Sequence, residues 1–162
     1  MSLQLEGLEK VISNINKEIS KIEGRCEAGL VSAGLFIRGE SQKLTPVVTG
    51  NLRNSAYVVS KKGVEAPPKD LSSGGSQASL AECAVSNTPM VIVGYAAWYA
   101  IFVHENPNAG AVNLAQKATK YRSEKGSKRI VFSTVGQWKF LEAAIKQNQK
   151  RILAIIAAKA KK

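Results

Sequence analysis

Apolar residues recur at steps of three and four along the first part of the chain, which is the pattern of a single helical stripe. The stripe predicts a long helix over residues 3–44, ended by Pro46, because proline disfavours helical backbone at the residue before it. Its members are Leu8, Val11, Ile12, Ile15, Ile19, Ile22, Cys26, Leu30, Ala33 and Ile37.

This predicted helix is too long for its own domain. Forty residues at ~1.5 Å each span ~60 Å, more than the width of a domain of this size. The helix must therefore pack on a partner or break. Four glycines at five-residue spacing predict a kink or a division into two shorter helices near Gly24, Gly29, Gly34 and Gly39.

The middle of the chain has the composition of strands. Residues 56–60, Ala-Tyr-Val-Val-Ser, have the β-branched and aromatic content of a strand, and Thr49 is predicted to cap a short helical turn before them. Alternation over 81–85 and the apolar run 90–93 predict two adjacent antiparallel strands, and 129–132 predicts a short fourth one.

Residues 61–78 are rich in glycine, proline and serine and predict a loop. A capping-box spacing at Thr134 and Gln137 predicts a final helix over 134–160. The 162 residues therefore predict one α+β domain over 1–162, with an antiparallel sheet of about four strands flanked by a long N-terminal helix and a C-terminal helix.

The apolar run from Tyr95 to Val103 fits both a buried strand and a buried helix, and we favour a strand that ends at Gly94 or Tyr95 followed by about two helical turns to His104. It contains three aromatic residues, Trp98, Tyr99 and Phe102. These side chains are able to stack on nucleic-acid bases, but their apolar neighbours favour packing in the core.

Charge is unevenly distributed along the chain. Residues 1–116 carry ten basic and ten acidic residues, whereas 117–162 carry thirteen basic residues against only Glu124 and Glu142, which accounts for the whole net charge of +11. Such a block suggests a polyanionic neighbour, although a solvated helix face and frayed tail explain it equally well. The candidate contacts are Lys117, Lys120, Arg122, Lys125, Lys128, Arg129, Lys146, Lys150 and Arg151.

Candidate chemistry is sparse. His104 is the only histidine and Asp70 the only aspartate, and no Gly-x-Ser-x-Gly elbow, phosphate-binding loop or dinucleotide fingerprint is present. The pair formed by His104 and Glu105 is too small a ligand set for a metal. The sequence therefore predicts no enzyme, no metal site and no cofactor.

The cysteine count and the hydropathy bear on the cellular setting. Cys26 and Cys83 are too few for a disulfide framework and are expected to be reduced and buried. No apolar run approaches the ~20 residues that span a bilayer, and the chain opens without a secretory signal. We expect folding in a reducing cytoplasm and no membrane partner.

Three segments carry a specific order of residues. Thr45 to Ser55 contains Pro-x-x-Thr-Gly-x-Leu-x-x-Ser, Tyr99 to Glu105 reads Tyr-Ala-x-x-Val-His-Glu, and Lys139 to Ala144 contains Phe-Leu-x-x-Ala. In this order they resemble the neck and tail-completion proteins of long-tailed bacteriophages. The matching residues, called the motif residues below, are Pro46, Thr49, Gly50, Leu52, Ser55, Tyr99, Ala100, Val103, Glu105, Phe140, Leu141 and Ala144.

The resemblance implies a structural virion protein of α+β fold, assembled in the host cytoplasm and needed for tail completion and head–tail joining. It implies a homo-oligomeric ring of six subunits between the tail-tube protein and the head connector or stopper proteins, with no catalytic residues. Loops 61–78 and 106–128 would contact adjoining rings. The basic segment would meet an acidic neighbouring ring or the packaged DNA.

Two other classes of function remain open. A non-specific nucleic-acid-binding protein would use the basic segment 117–162 and would bind DNA in a salt-dependent manner. A small hydrolase would depend on His104, the only histidine.

One departure from the family pattern is that Asn106-Pro107-Asn108 replaces a glycine that follows the second segment in the family.

Overall fold

The structure, a computed structural model, describes residues 6–47, 50–68, 75–107, 109 and 136–161. The described elements form an α+β arrangement, as predicted, in which an antiparallel sheet lies among helices. In chain order they are α1 (Glu6–Leu44), α2 (Asn51–Asn54), β1 (Ala56–Ser60), β2 (Gly63–Ala66), α3 (Gly75–Val85), β3 (Val91–Tyr95), α4 (Ala100–Glu105), α5 (Phe140–Gln147) and α6 (Gln149–Ala160).

Within the described residues the sheet has three antiparallel strands in the order β2-β1-β3. The β1–β3 register runs without a break from the pair Ala56 and Tyr95 to the pair Ser60 and Val91. All five residues of β1 are buried, because helices cover both faces of this central strand. Its continuous apolar content is therefore that of a strand with two covered faces rather than one.

Helix α1 crosses one face of the sheet at Gly34. A Cβ atom at this position would lie 2.8 Å from the Val91 side chain and 3.1 Å from that of Val58. The absence of a side chain therefore lets the helix backbone approach the sheet closely. Further along, α1 packs against α5 and α6.

Helix α3 covers the opposite face. Tyr57 and Val59 of β1 form a buried cluster there with Cys83 and Ala96, flanked by the partly buried residues Leu80, Met90 and Ile92. Burial raises the pKa of the Cys83 thiol above its ordinary value. Cys26 is only partly buried, so the prediction of two buried cysteines holds for Cys83 alone.

The strand predictions were correct for 56–60 and for the region of β3, and the described part of the sheet has three strands where about four were predicted. The alternation over 81–85 belongs to helix α3, in which Cys83 faces the sheet and Val85 is 83% exposed. Strand β2 and the start of α3 occupy part of the predicted loop 61–78. The predicted strand 129–132 lies outside the described residues.

The predicted helices also needed correction. Helix α1 is one uninterrupted helix of 39 residues, so the predicted division at the glycines was wrong. The predicted final helix is two helices separated at Asn148, and it begins at Phe140 rather than at residue 134. Gln137 precedes the helix and donates its backbone N–H to Leu44, which rules out its predicted role in a capping box.

None of the described helices combines the length and apolar content that crossing a membrane requires.

Candidate functional site

The three segments that carry the motif residues meet at the C-terminal end of α1, and we call this region the motif junction (residues 44–47, 50–55, 95–105 and 136–144). Backbone hydrogen bonds connect its parts. The Ala96 N–H donates to the Ser55 carbonyl at 2.9 Å, and the Lys139 N–H donates to the His104 carbonyl at 2.8 Å. The 2.9 Å bond from Gln137 to Leu44 joins the same region to α1.

The turn that leads from α1 into β1 depends on a left-handed glycine. Gly50 has φ +89° and ψ −11°, and its carbonyl accepts the Asn54 N–H at 2.9 Å. Leu52 is buried, and the Ser55 hydroxyl donates to the Leu52 carbonyl at 2.7 Å. Helix α2 has no side-chain cap, and the predicted cap Thr49 lies outside the described residues.

Replacing Gly50 with alanine is expected to lower the free energy of unfolding by about 1–2 kcal/mol, the cost of a left-handed backbone for a residue with a Cβ. Space is not the cause, because the nearest atom to such a Cβ is Asn54 Nδ2 at 3.7 Å. Urea unfolding measures the change. Gly50→Asn should lose less, since asparagine enters this conformation more readily. Equal losses for alanine and asparagine would contradict the backbone explanation.

The hydroxyl of Tyr95 ties the end of α1 to β3. It lies 2.8 Å from the Ser41 hydroxyl and 2.9 Å from the Thr45 hydroxyl. Thr45 itself donates to the Ser41 carbonyl at 2.7 Å. Burial raises the pKa of the Tyr95 phenol, and this effect outweighs the opposing hydrogen bonds from the two hydroxyls.

The raised pKa of Tyr95 predicts a loss of stability at alkaline pH. Above the ordinary tyrosine value of 10.0 the unfolded chain releases the phenol proton while the folded chain retains it, so the free energy of unfolding falls as pH rises toward the folded-state pKa. Urea titrations across this range measure the fall. Tyr95→Phe should reduce the slope, whereas Ser41→Ala, which keeps the phenol, should preserve it. An unchanged slope in Tyr95→Phe would contradict the assignment.

Phe140 fills the centre of the motif junction. Its ring is 1% exposed and meets Tyr95 edge to face at 5.0 Å and His104 at 4.9 Å between ring centroids. Lys139, just before it, has the left-handed φ of 50° while its N–H bonds to His104. These contacts fix the start of α5 against β3 and α4.

His104 takes part in packing at this junction. Its Nδ1 lies 2.7 Å from a carboxylate oxygen of Glu105, and its Nε2 is buried with no hydrogen-bond partner among the described residues. In the described part of the chain no group of three His, Cys, Asp or Glu side chains is arranged to hold a metal ion. The neighbours of the imidazole ring are thus an aromatic side chain and one carboxylate.

The other motif residues surround this centre. Pro46 is buried, and its Cα would lie 2.5 Å from a Cβ atom on Gly136, so these two backbones are in close contact. Ala144 of α5 is completely buried and Leu141 is partly buried. Tyr99, just before α4, and Ala100 and Val103 of α4 are partly buried, and Glu105 is exposed.

Most of the candidate polyanion contacts lie outside the described residues, namely Lys117, Lys120, Arg122, Lys125, Lys128 and Arg129. Of the described ones, Lys146 forms an ion pair with Glu142. Arg151 lies 4.7 Å from the centre of the Phe36 ring. Lys150 is exposed. Two of these three side chains therefore already contact a side chain of their own chain.

Two apolar surfaces are exposed: one around α4, which was not predicted, and one along α1, for which packing on a partner was one of two predicted alternatives. Around α4, Trp98 is 80% and Phe102 is 68% exposed, so the prediction that they pack in the core was wrong. Along α1, every residue from 7 to 22 is exposed, including the apolar residues of the predicted stripe that lie within this range. The apolar stripe of α1 and the apolar run at 95–103 were both visible in the sequence. Neither pattern distinguishes a side chain that is buried in its own domain from one that is exposed and available to a partner.

Neither a protein-family model, nor a curated protein, nor a solved structure matches the chain.

Proposed function

We propose that this chain is a structural virion protein that forms a ring at the head-to-tail junction of a long-tailed bacteriophage and is needed for tail completion and head–tail joining. The observation that carries the proposal is the convergence of the three resembling segments. Each is separated from the next by more than thirty residues in the sequence, yet they adjoin one another at the motif junction.

The roles of the motif residues support an architectural function. Gly50 supplies a left-handed turn, Ser55 satisfies a carbonyl inside that turn, and Phe140 fills the centre of the junction. Each of these roles fixes the angle between helices and sheet. An assembly protein requires residues that fix the angle between its helices and its sheet, because its partners bind to the shape of its surface.

The length of α1 gives independent support. Its exposed first half, residues 7–22, extends ~24 Å at the rise of an α-helix and carries large apolar side chains into solvent. Contiguous exposed apolar surface of this kind marks an interaction site. Rings of identical subunits provide such partners through head-to-tail interfaces.

The direct test is to delete the gene in the phage whose genome carries this sequence. We expect DNA-filled heads and incomplete tails that do not join, with infectivity restored when purified protein is added to the lysate. Electron microscopy of the purified protein should show closed rings with a central channel. Joined, infectious particles formed without the protein would contradict the proposal.

Binding to DNA across a salt series separates this function from non-specific nucleic-acid binding. A protein that neutralises many phosphates loses affinity steeply as salt rises, because counterions are released on binding. We expect no tight complex with duplex DNA at physiological salt. Tight binding with a steep salt slope, together with normal head–tail joining in the deletion, would favour the nucleic-acid function instead.

A further inference from the structure

Helix α1 carries an unbroken seam of residues at alternating steps of four and three, which is the heptad spacing of helices that pack side by side. The seam runs through both halves of the helix. Its members are Leu8, Ile12, Ile15, Ile19, Ile22, Cys26, Gly29, Ala33 and Phe36.

The second half of this seam is already covered by a helix of the same chain. A Cβ atom at Gly29 would lie 3.1 Å from the Ile156 carbonyl oxygen, and Arg151 lies over the Phe36 ring. These two contacts show that α6 runs antiparallel to α1. Near the end of α6, Lys159 and Gly24 line an open groove of about 480 Å³. The seam thus continues past the end of α6 in the same register.

The first half of the seam is large enough to be an interface. Its members from Leu8 to Ile22, together with Val11, are 46–54% exposed. Six aliphatic residues at this exposure present roughly 600 Å² of apolar surface, the upper end for the largest patch on a typical monomer. Flanking polar side chains bring the area near the ~800 Å² that each partner contributes to a standard interface.

The charges beside the seam disfavour pairing of α1 with α1. Glu9, Glu18 and Glu23 occupy flanking heptad positions of its first half; Glu18 also forms an exposed ion pair with Lys21, and Arg25 flanks the seam where the second half begins. Parallel pairing in register would place Glu18 of each copy beside Glu23 of the other, and the antiparallel register that buries 12–22 of both copies would bring the two Glu18 side chains together. A basic helix is the complementary partner.

The outer face of α6 is such a helix. Leu153 is 66% exposed there, and the small residues Ala154 and Ala157 beside it allow close approach. Exposed Lys150 and Lys161 lie at its two ends. This face combines an apolar centre with positive charge, the complement of the first half of the α1 seam.

We propose that the exposed first half of the α1 seam packs on the outer face of α6 of a second copy of this chain. The two surfaces differ, so the contact is head to tail and each copy both offers and receives it. The closure of such contacts into a ring rests on the proposed function, whereas the contact itself does not.

Paired variants test the contact. Ile15→Asp places a charge in the seam and Leu153→Asp places one on α6, while Asn14→Asp makes the same kind of change beside the seam as a control. Native mass spectrometry and sedimentation should show that the wild type and Asn14→Asp self-associate and that Ile15→Asp and Leu153→Asp do not. A 1:1 mixture of the two defective variants should form a dimer, because one intact contact remains between them.

Three results would overturn the proposal. Self-association that survives Leu153→Asp but not Ile15→Asp would mean that α1 pairs with another surface, including α1 itself. A mixture that stays monomeric would exclude a head-to-tail contact between these faces. A wild-type chain that is monomeric at roughly 100 µM, where any contact with a lower Kd would be seen, would exclude a second copy as the occupant.

The outcome can be separated from that of the proposed function. Rings that persist in Ile15→Asp would overturn this contact and leave the ring function standing. Dimers restored by mixing, combined with normal head–tail joining in the deletion phage, would retain the contact and remove the function. Thermal unfolding checks that Ile15→Asp and Leu153→Asp keep the wild-type domain, since both side chains are exposed.

Discussion

Replacing Phe140 with alanine is expected to lower the free energy of unfolding by about 3–5 kcal/mol, a large part of the stability of a domain of this size. The ring is 1% exposed, so its removal leaves a cavity at the motif junction. Its edge-to-face contacts with Tyr95 and His104 are lost as well, each worth about 0.5–1.5 kcal/mol beyond the buried area. Denaturant unfolding followed by circular dichroism measures the loss.

Phe102→Ala is the matched control, because it makes the same substitution at a ring that is 68% exposed. Surface replacements of this kind usually change stability by no more than about 0.5 kcal/mol. Similar losses for the two variants would show that Phe140 is not the centre of the junction. Should Phe140→Ala prevent folding altogether, Phe140→Leu should give a measurable, smaller loss.

Replacing Gly34 with valine is expected to cost stability toward the upper end of the ~1–3 kcal/mol typical of overpacking. The Cβ alone would lie 2.8 Å from Val91 and 3.1 Å from Val58, and the two methyl groups of valine need further space. Helix α1 would have to move away from the sheet. The shift in urea midpoint measures the cost, and hydrogen exchange should locate the loosening in β1 and β3.

Gly39→Val is the control for Gly34→Val. It lies on the same helix, and a Cβ there meets no atom within 4 Å. Because valine has a higher helix propensity than glycine, this variant should be as stable as the wild type or slightly more so. A loss at Gly39 equal to that at Gly34 would point to a general effect of valine on α1 rather than to contact with the sheet.

The elements that the sequence predicted well are those whose pattern is long or whose composition is extreme. Helix α1 has ten apolar positions in one stripe, and β1 has an unbroken β-branched and aromatic run. The glycines misled the prediction of α1, because a local propensity cost of ~1 kcal/mol each says nothing about close packing. At Gly29 and Gly34 that cost accompanies contacts that a side chain would block.

The secondary-structure predictions that were wrong concerned short segments of the chain. Five alternating residues at 81–85 fit both a strand and the last turns of α3, and only the sheet opposite Cys83 decides between them. The Thr134 and Gln137 spacing fitted a capping box, but the Gln137 N–H bonds to Leu44, a partner ninety-three residues earlier in the chain. Long-range hydrogen bonds of this kind leave no local pattern.

The sequence predicted which residues belong to the candidate site, but not how the fold brings them together. The order of the three segments named Gly50, Ser55 and Phe140 in advance, whereas Tyr95 and its bonds to Ser41 and Thr45 lay outside the resemblance. A tyrosine hydroxyl between two helix-end hydroxyls has no spacing signal, since the partners are fifty residues or more apart.

By itself, the sequence determined the class of the fold and the long N-terminal helix, because these depend on local periodicity and composition. Only the tertiary structure decided which half of the α1 stripe is buried. The pattern of Leu8 to Ile22 is the same as that of Cys26 to Phe36, but α6 ends beside Gly24 and covers only the second half. A side chain is buried only where another element packs against it, and the apolar stripe of one helix does not specify which element that is or where it ends.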